Sequence, residues 1–147
     1  MNDYVKYNNI IVPVDETISS KRAVKHALHI ARLEGSKLIL VHVSETAEVE
    51  KIFPKELSKK ILKTVDDELH KLMESIKAQA QEFSIELEED VLEGEDIGGE
   101  LIKFAKSRHS DLIVMGSELL RKDPIGSRTR RIIAADIGPV LVVTQED

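Results

Sequence analysis

The chain of 147 residues is predicted to fold as a doubly wound, parallel α/β sheet. Three observations predict this class: short continuous apolar runs, amphipathic helical patterns between them, and a regular alternation of the two. Continuous apolar strands are typical of a parallel sheet that helices cover on both faces, and right-handed crossovers distribute the helices over those faces. We expect one domain over residues 1–147, because domains commonly contain roughly 100–150 residues.

Five apolar runs are predicted to be strands, in the order βαβαβαβαβ. The first two, NIIVPV and KLILVHV, are rich in β-branched residues and indicate buried strands. The third run alternates imperfectly between apolar and acidic residues, which predicts a more exposed strand. The predicted strands cover residues 9–14, 37–43, 85–92, 111–115 and 139–144.

The intervening helices are predicted from apolar residues at helical spacing. Gly35 is placed to end the first helix, Pro54 to open the long second helix and Asp96 to cap the third. The fourth helix is predicted over residues 127–136. The residues expected to face the core are Ala23, Val24, Ala27, Leu28, Ala31 and Leu33; Ile61, Leu62, Val65, Leu69, Leu72, Met73, Ile76 and Ala80; Ile97, Leu101, Phe104 and Ala105; Ile132 and Ile133.

Composition excludes several classes of function. The chain has no cysteine, which excludes disulfides and thiolate metal sites and fits a reducing cytoplasm. No apolar run approaches the roughly 18 residues that span a bilayer, and the N-terminus lacks a signal-peptide pattern. A net charge of −6 and an aromatic content of 3% argue against nucleic-acid binding. We therefore expect a cytoplasmic protein without a membrane or nucleic-acid partner.

The acidic stretch and the histidines of the chain do not predict a further functional site. Residues 86–100 hold eight carboxylates and no basic residue, which predicts a solvated face. His26 and His29 lie three residues apart on the polar side of the first helix, so we expect them to face solvent rather than to bind a metal. We expect no metal site and no catalytic residue.

The strongest functional pattern lies between Asp111 and Thr144. An apolar run ends at Gly116, and Gly126–Ser127 opens a helix pattern within a stretch, residues 121–131, that carries a charge of +4. Glycine allows backbone N–H groups to approach an anion closely, and a helix N-terminus adds further donors and the positive end of its dipole. The segment therefore predicts a phosphate-binding site. In a doubly wound sheet, such a site lies outside the carboxyl ends of the strands.

Five features together resemble the single-domain universal stress proteins: IIVPVD, LILVHV, SDLIVMG, the later GS and the terminal PVLVV. The resemblance covers nearly the whole chain. It implies a five-stranded, Rossmann-like, three-layer α/β/α fold of the adenine-nucleotide alpha hydrolase-like type. It also implies a homodimer formed through the last strand, residues 139–144, and a regulatory stress-response role with slow ATP hydrolysis at most.

The same resemblance implies an adenine-nucleotide site, which would hold ATP with or without Mg²⁺. Adenine and ribose would lie at the ends of the first two strands, and the phosphates would lie at the fourth strand and the last helix. The residues implied are Pro13, Val14, Asp15 and Val43 for the nucleoside, and Met115, Gly116, Ser117, Gly126, Ser127 and Arg128 for the phosphates.

The chain departs from the ATP-binding pattern of that family, G-x2-G-x9-G-[ST], at one glycine and in loop length. Leu119 stands where the second glycine is expected, and the loop is three residues short. A leucine side chain obstructs the close backbone approach that glycine permits, which favours an alternative, a nucleotide-free dimeric interaction module. Gly126–Ser127 and the arginines favour ATP. A P-loop is excluded, because G-x4-G-K-[ST] is absent.

Overall fold

The computed structural model describes residues 4–14, 18–43, 46–94, 96–117 and 127–144. Within these ranges the predicted alternation of strands and helices is confirmed. The strands are β1 (Asn9–Val14), β2 (Lys37–Val43), β3 (Leu87–Leu92), β4 (Leu112–Ser117) and β5 (Val140–Thr144). The helices are α1 (Ile18–Glu34), α2 (Thr46–Ile52), α3 (Lys55–Glu82), α4 (Ile97–Ser107) and α5 (Ser127–Ala134).

The five strands form one parallel sheet in the order β3-β2-β1-β4-β5. The chain proceeds outward from β1 through β2 to β3, and then crosses to the other side of β1 with β4 and β5. Strand order therefore reverses between β1 and β4, while β3 and β5 form the two edges. The predicted doubly wound α/β class is confirmed.

Alternate side chains of the central strands enter two separate cores. Ile10, Val12 and Val14 pack with α1 and α3 on one face of the sheet. Ile11 and Ile113 pack with α4 and α5 on the other face. Because both faces are covered, β1 is buried on both sides, as its continuous apolar sequence predicts.

One helix and several element boundaries differ from the sequence prediction; among the boundaries, α5 ends at Ala134 rather than at residue 136. Helix α2 was not predicted, because its sequence TAEVEKI has too few apolar positions to show a helical period. Strand β4 continues past residue 115, because Gly116 and Ser117 pair with Val143 and Thr144 of β5. Strand β3 begins at residue 87 rather than 85.

Two residues expected in the core are exposed. Leu33 is 72% exposed and Ile133 is 50% exposed. Leu33 follows the buried Ala31 by two residues, which is about 200° around the helix, so it points away from the sheet. Ile133 is similarly turned by about 100° from Ile132, which is buried together with Thr129 one turn earlier.

Candidate functional site

The candidate site lies where β1 and β4 meet at the reversal of strand order. The β1–β4 ladder pairs Ile10 with Leu112 and Ile11 with Ile113. By contrast, the β1–β2 ladder pairs every residue of β1. The carboxyl-terminal halves of β1 and β4 are thus adjacent but outside the paired ladder, at the position where doubly wound sheets bind ligands.

Asp111 fixes the opposite, amino-terminal end of this strand pair. Its Oδ2 accepts hydrogen bonds from the backbone N–H groups of Asn8 and Asn9, at 2.9 and 2.8 Å. The Asp111 N–H in turn donates to the Asn9 carbonyl at 3.0 Å. From the sequence, Asp111 is predicted only to begin the fourth strand. The sequence signal that could have predicted these hydrogen bonds is an acidic residue directly before a buried strand.

The structure places the predicted residues of the first, second and fourth strands at the carboxyl edge of the sheet. Val14, Met115 and Ser117 are buried, whereas Pro13 and Gly116 are half-buried. The Pro13 carbonyl accepts a 3.5 Å hydrogen bond from the Ser20 hydroxyl at the start of α1. The same edge includes the backbone of Val43, which ends β2 opposite Leu92. Asp15, Leu119 and Gly126 lie outside the described residues.

Helix α5 begins at this same edge, because it follows β4 in the chain. Its first residue is Ser127, and Arg128 is half-buried in its first turn. Thr129 and Ile132, which are 3% and 1% exposed, attach the helix to the sheet. The first backbone N–H groups of a helix have no acceptor within the helix, so this end can donate to an anion.

An ion pair joins α5 to the start of α4. The Asp96 carboxylate accepts hydrogen bonds from both terminal nitrogens of Arg131. It also accepts from the Gly99 N–H at 3.3 Å, which confirms Asp96 as the predicted cap of α4. The Arg131 hydrogen bond, followed by the Gly99 N–H, lowers the pKa of Asp96, and the Asp96 carboxylate raises the pKa of Arg131.

The glycines of α4 leave room for this pair. A Cβ on Gly98 would lie 2.9 Å from Nη1 of Arg131, and a Cβ on Gly99 would overlap the Asp96 carboxylate. Arg131 belongs to the basic stretch of residues 121–131 that predicts a phosphate-binding site. The structure instead assigns it a partner, the cap of a neighbouring helix.

Several carboxylates of the acidic stretch at residues 86–100 form ion pairs. Glu88 lies 3.3 Å from Lys37 Nζ and 2.8 Å from Arg108 Nη1. Asp90 lies 3.6 Å from Arg108 Nη2, and Glu89 lies 3.4 Å from Lys77 Nζ on α3. Basic residues from other elements therefore cover the acidic strand β3, which local charge counting could not reveal.

No group of three or more histidine, aspartate and glutamate side chains in the described ranges could hold a metal ion. His26 and His29 are exposed, as predicted. No helix in these ranges is long and apolar enough to cross a bilayer.

Comparison with known proteins gives matches along nearly the whole chain. A model of the universal stress protein family matches residues 6–144. Universal stress protein MJ0577 from Methanocaldococcus jannaschii is 30% identical over 159 aligned residues, which cover 97% of this chain and 98% of that protein. The solved structure of MJ0577 superposes with a TM-score of 0.75 at 26% identity and covers 97% of this chain and 99% of that chain.

Two further solved structures share the fold at lower identity. One is a universal stress protein family protein from Arabidopsis thaliana with AMP bound, with a TM-score of 0.65, 19% identity, and coverage of 95% of this chain and 92% of that chain. The other is the universal stress protein from Archaeoglobus fulgidus in complex with dAMP. It has a TM-score of 0.62, 19% identity, and coverage of 95% and 99%.

Proposed function

The chain belongs to the universal stress protein family, and we propose that it is a cytoplasmic regulatory protein that binds an adenine nucleotide at the carboxyl ends of its strands. The favoured ligand is ATP, with or without Mg²⁺, and residues 1–147 act as one domain. The observation that carries this proposal is the short β1–β4 ladder at the reversal of strand order, beside the start of α5.

The nucleoside is assigned to the ends of β1 and β2. Pro13 and Val14 supply the wall at the end of β1, and the Val43 backbone supplies hydrogen bonds to the base. Asp15, which lies outside the described residues, accepts from the ribose hydroxyls, since an ionised carboxylate acts only as an acceptor. Backbone groups at strand ends suit a planar base because their positions are fixed by the sheet.

The phosphates are assigned to the end of β4 and the start of α5. Met115, Gly116 and Ser117 line the strand side, and the Arg128 N–H belongs to the first turn of α5. Gly126, outside the described residues, and Ser127 complete the turn before that helix. The N–H groups of a first helical turn and the positive end of the helix dipole favour an anion at this position.

The nature of the ligand is supported by two of the structural neighbours. The proteins from Arabidopsis thaliana and Archaeoglobus fulgidus were solved with AMP and dAMP, which share adenine and a single phosphate. Arg128, within the basic stretch of residues 121–131, would complement the additional phosphates of ATP. We assign the nucleotide the role of a ligand that shifts a conformational equilibrium, rather than of a substrate turned over rapidly.

Calorimetry with ATP tests this proposal directly. Wild-type protein should bind with a dissociation constant at or below the micromolar range, and Gly126→Asp should abolish binding by placing a carboxylate against the phosphates. Lys106→Gln is a matched control, because it makes the same charge change at an exposed position near the C-terminal end of α4, away from the proposed phosphate side. The alternative, a nucleotide-free interaction module, predicts no heat and no thermal shift with millimolar ATP.

We also assign a homodimer to the predicted strand 139–144. Strand β5 is an edge of the sheet, and its Val140, Leu141 and Val142 are only half-buried. An apolar edge strand favours pairing with another strand, and a two-fold axis would satisfy both copies at once. Val142→Lys should give monomers by light scattering. Val91→Lys, on the exposed opposite edge, should leave the dimer mass unchanged.

A further inference from the structure

Helix α3 is longer than the sheet it covers. Its 28 residues span about 40 Å, whereas strands of six or seven residues span about 20 Å. Its C-terminal half packs on the sheet through Ile76 and Ala80. Lys21, in the first turn of α1, lines the same groove as Glu68 of α3. Since α1 starts at the carboxyl edge of the sheet, residues 55–67 of α3 extend beyond that edge.

Helix α2 packs against this extension and makes it a defined helical hairpin. The Ser58 side chain is 3% exposed, and its hydroxyl donates to the carbonyls of Phe53 and Val49 at 3.0 and 3.3 Å. The Phe53 N–H donates to the Val49 carbonyl at 3.0 Å. We call residues 46–67 the arm, and residues 51–57, where α2 turns into α3, its tip.

The tip exposes apolar side chains that belong to neither hydrophobic core. Ile52 is 71% exposed, Leu57 is 45% exposed and Phe53 is 39% exposed. The three residues lie within one six-residue segment, and grouped exposed apolar residues mark an interaction surface more often than isolated ones do. The tip is therefore the first candidate for contact with another molecule.

The charge of the tip is opposite to that of the chain. Five lysines and one glutamate give residues 51–63 a charge of +4, within a protein of charge −6. Lys55, Lys59 and Lys60 are exposed, and they form no ion pair within the described part of the chain. All three lie within about 8 Å of the tip along the helix axis, which is within one Debye length at physiological salt.

We propose that the tip of the arm docks onto the surface of an anionic lipid bilayer. Ile52, Phe53 and Leu57 would enter the apolar boundary below the headgroups, while the lysines contact the anionic headgroups. A projecting apolar tip suits a fluid interface, whereas a protein partner would need a concave, acidic pocket of matching shape. This contact is peripheral, so it differs from the membrane span that the sequence excludes. The expectation of no membrane partner rested on that missing span.

A single tryptophan at the tip reports on insertion. The chain contains no tryptophan, so Phe53→Trp introduces a unique fluorophore, and Leu33→Trp is a matched exposed control on α1. Vesicles of phosphatidylcholine with about one-third phosphatidylserine should shift the emission of the tip variant to shorter wavelength. The Leu33→Trp emission should not shift. An unshifted tip emission, or an equal shift with both variants, overturns the proposal.

The contribution of the lysines is tested by vesicle co-sedimentation with the full chain. Replacing Lys55, Lys59 and Lys60 with glutamine should weaken binding about a hundredfold, because each lysine contributes about fivefold near an anionic surface. The control variant replaces the exposed residues Lys6, Lys103 and Lys106 with glutamine, which changes the net charge equally. This control should alter vesicle binding less than threefold. Equal losses in both triple variants, or equal binding to pure phosphatidylcholine, contradict the proposal. An emission shift of Phe53→Trp with polyglutamate but not with vesicles would assign the tip to an acidic protein instead.

Discussion

Replacing Ile132 with alanine tests how α5, and with it the proposed phosphate side of the site, is held on the sheet. Ile132 is 1% exposed and belongs to the buried cluster that contains Ile113 and Met115. Isoleucine-to-alanine changes in well-packed cores cost about 2–5 kcal/mol, since both burial and packing are lost. For a domain of this size the melting temperature should fall by roughly 5–15 °C.

The neighbouring residue supplies a matched control. Ile133 is 50% exposed on the same helix, so Ile133→Ala removes half-solvated surface and gains a small amount of helix propensity, with a net change within about 1 kcal/mol. The free energy of unfolding of both variants is measured by urea titration with circular dichroism as the signal. Under conditions where Ile132→Ala is still folded, calorimetry should also show weaker ATP binding. Equal destabilisation by the two changes, or less than about 1 kcal/mol for Ile132→Ala, would refute this placement of α5.

The ion pairs and the hydrogen bonds of Asp111 give three further predictions about stability. Because Arg131 lowers the pKa of Asp96, the pair stabilises the fold above the ordinary carboxyl pKa, and this contribution is lost as pH falls through the lowered value. In acid-unfolding curves, the difference in stability between wild type and Asp96→Asn should therefore close below about pH 4. A difference that widens below that pH contradicts the pairing. Arg108→Ala, which removes an ion pair with Glu88, should cost about 1 kcal/mol in urea unfolding, against a negligible change for Lys103→Ala on the exposed face of α4. Asp111→Ala leaves the N–H groups of Asn8 and Asn9 without their acceptor and should lower the free energy of unfolding by about 1–3 kcal/mol. An unchanged urea midpoint would show that these hydrogen bonds do not stabilise the fold.

The order and class of the elements could be predicted because the strands are buried on both faces. A run such as IIV in β1 is apolar at every position, and this pattern differs clearly from the spaced apolar residues of α4. Helix α2 could not be predicted, because it is held by Ser58 from the next helix rather than by its own apolar period. The last two residues of β4 likewise depend on β5, more than twenty residues later in the chain.

The candidate site could be predicted only to the level of an edge of the sheet. Strand ends such as Val14 and Gly116 are placed by topology alone, since the carboxyl ends of parallel strands lie on one side. The partner of Arg131 could not be predicted, because Asp96 is distant in sequence and meets it only through the packing of α4 beside α5. The arm was also missed, since its projection depends on the length of α3 relative to the sheet.

The most direct test of the central claim is a map of backbone amide chemical shifts during titration with ATP. Binding at the carboxyl edge should move the amide signals of Val14, Val43, Gly116, Ser117 and Arg128 most. Amides at the opposite end of the sheet, such as those of Asn9 and Lys37, should remain nearly unchanged. Shifts centred on that opposite end, or no shifts at millimolar ATP, would contradict a nucleotide site at the carboxyl edge.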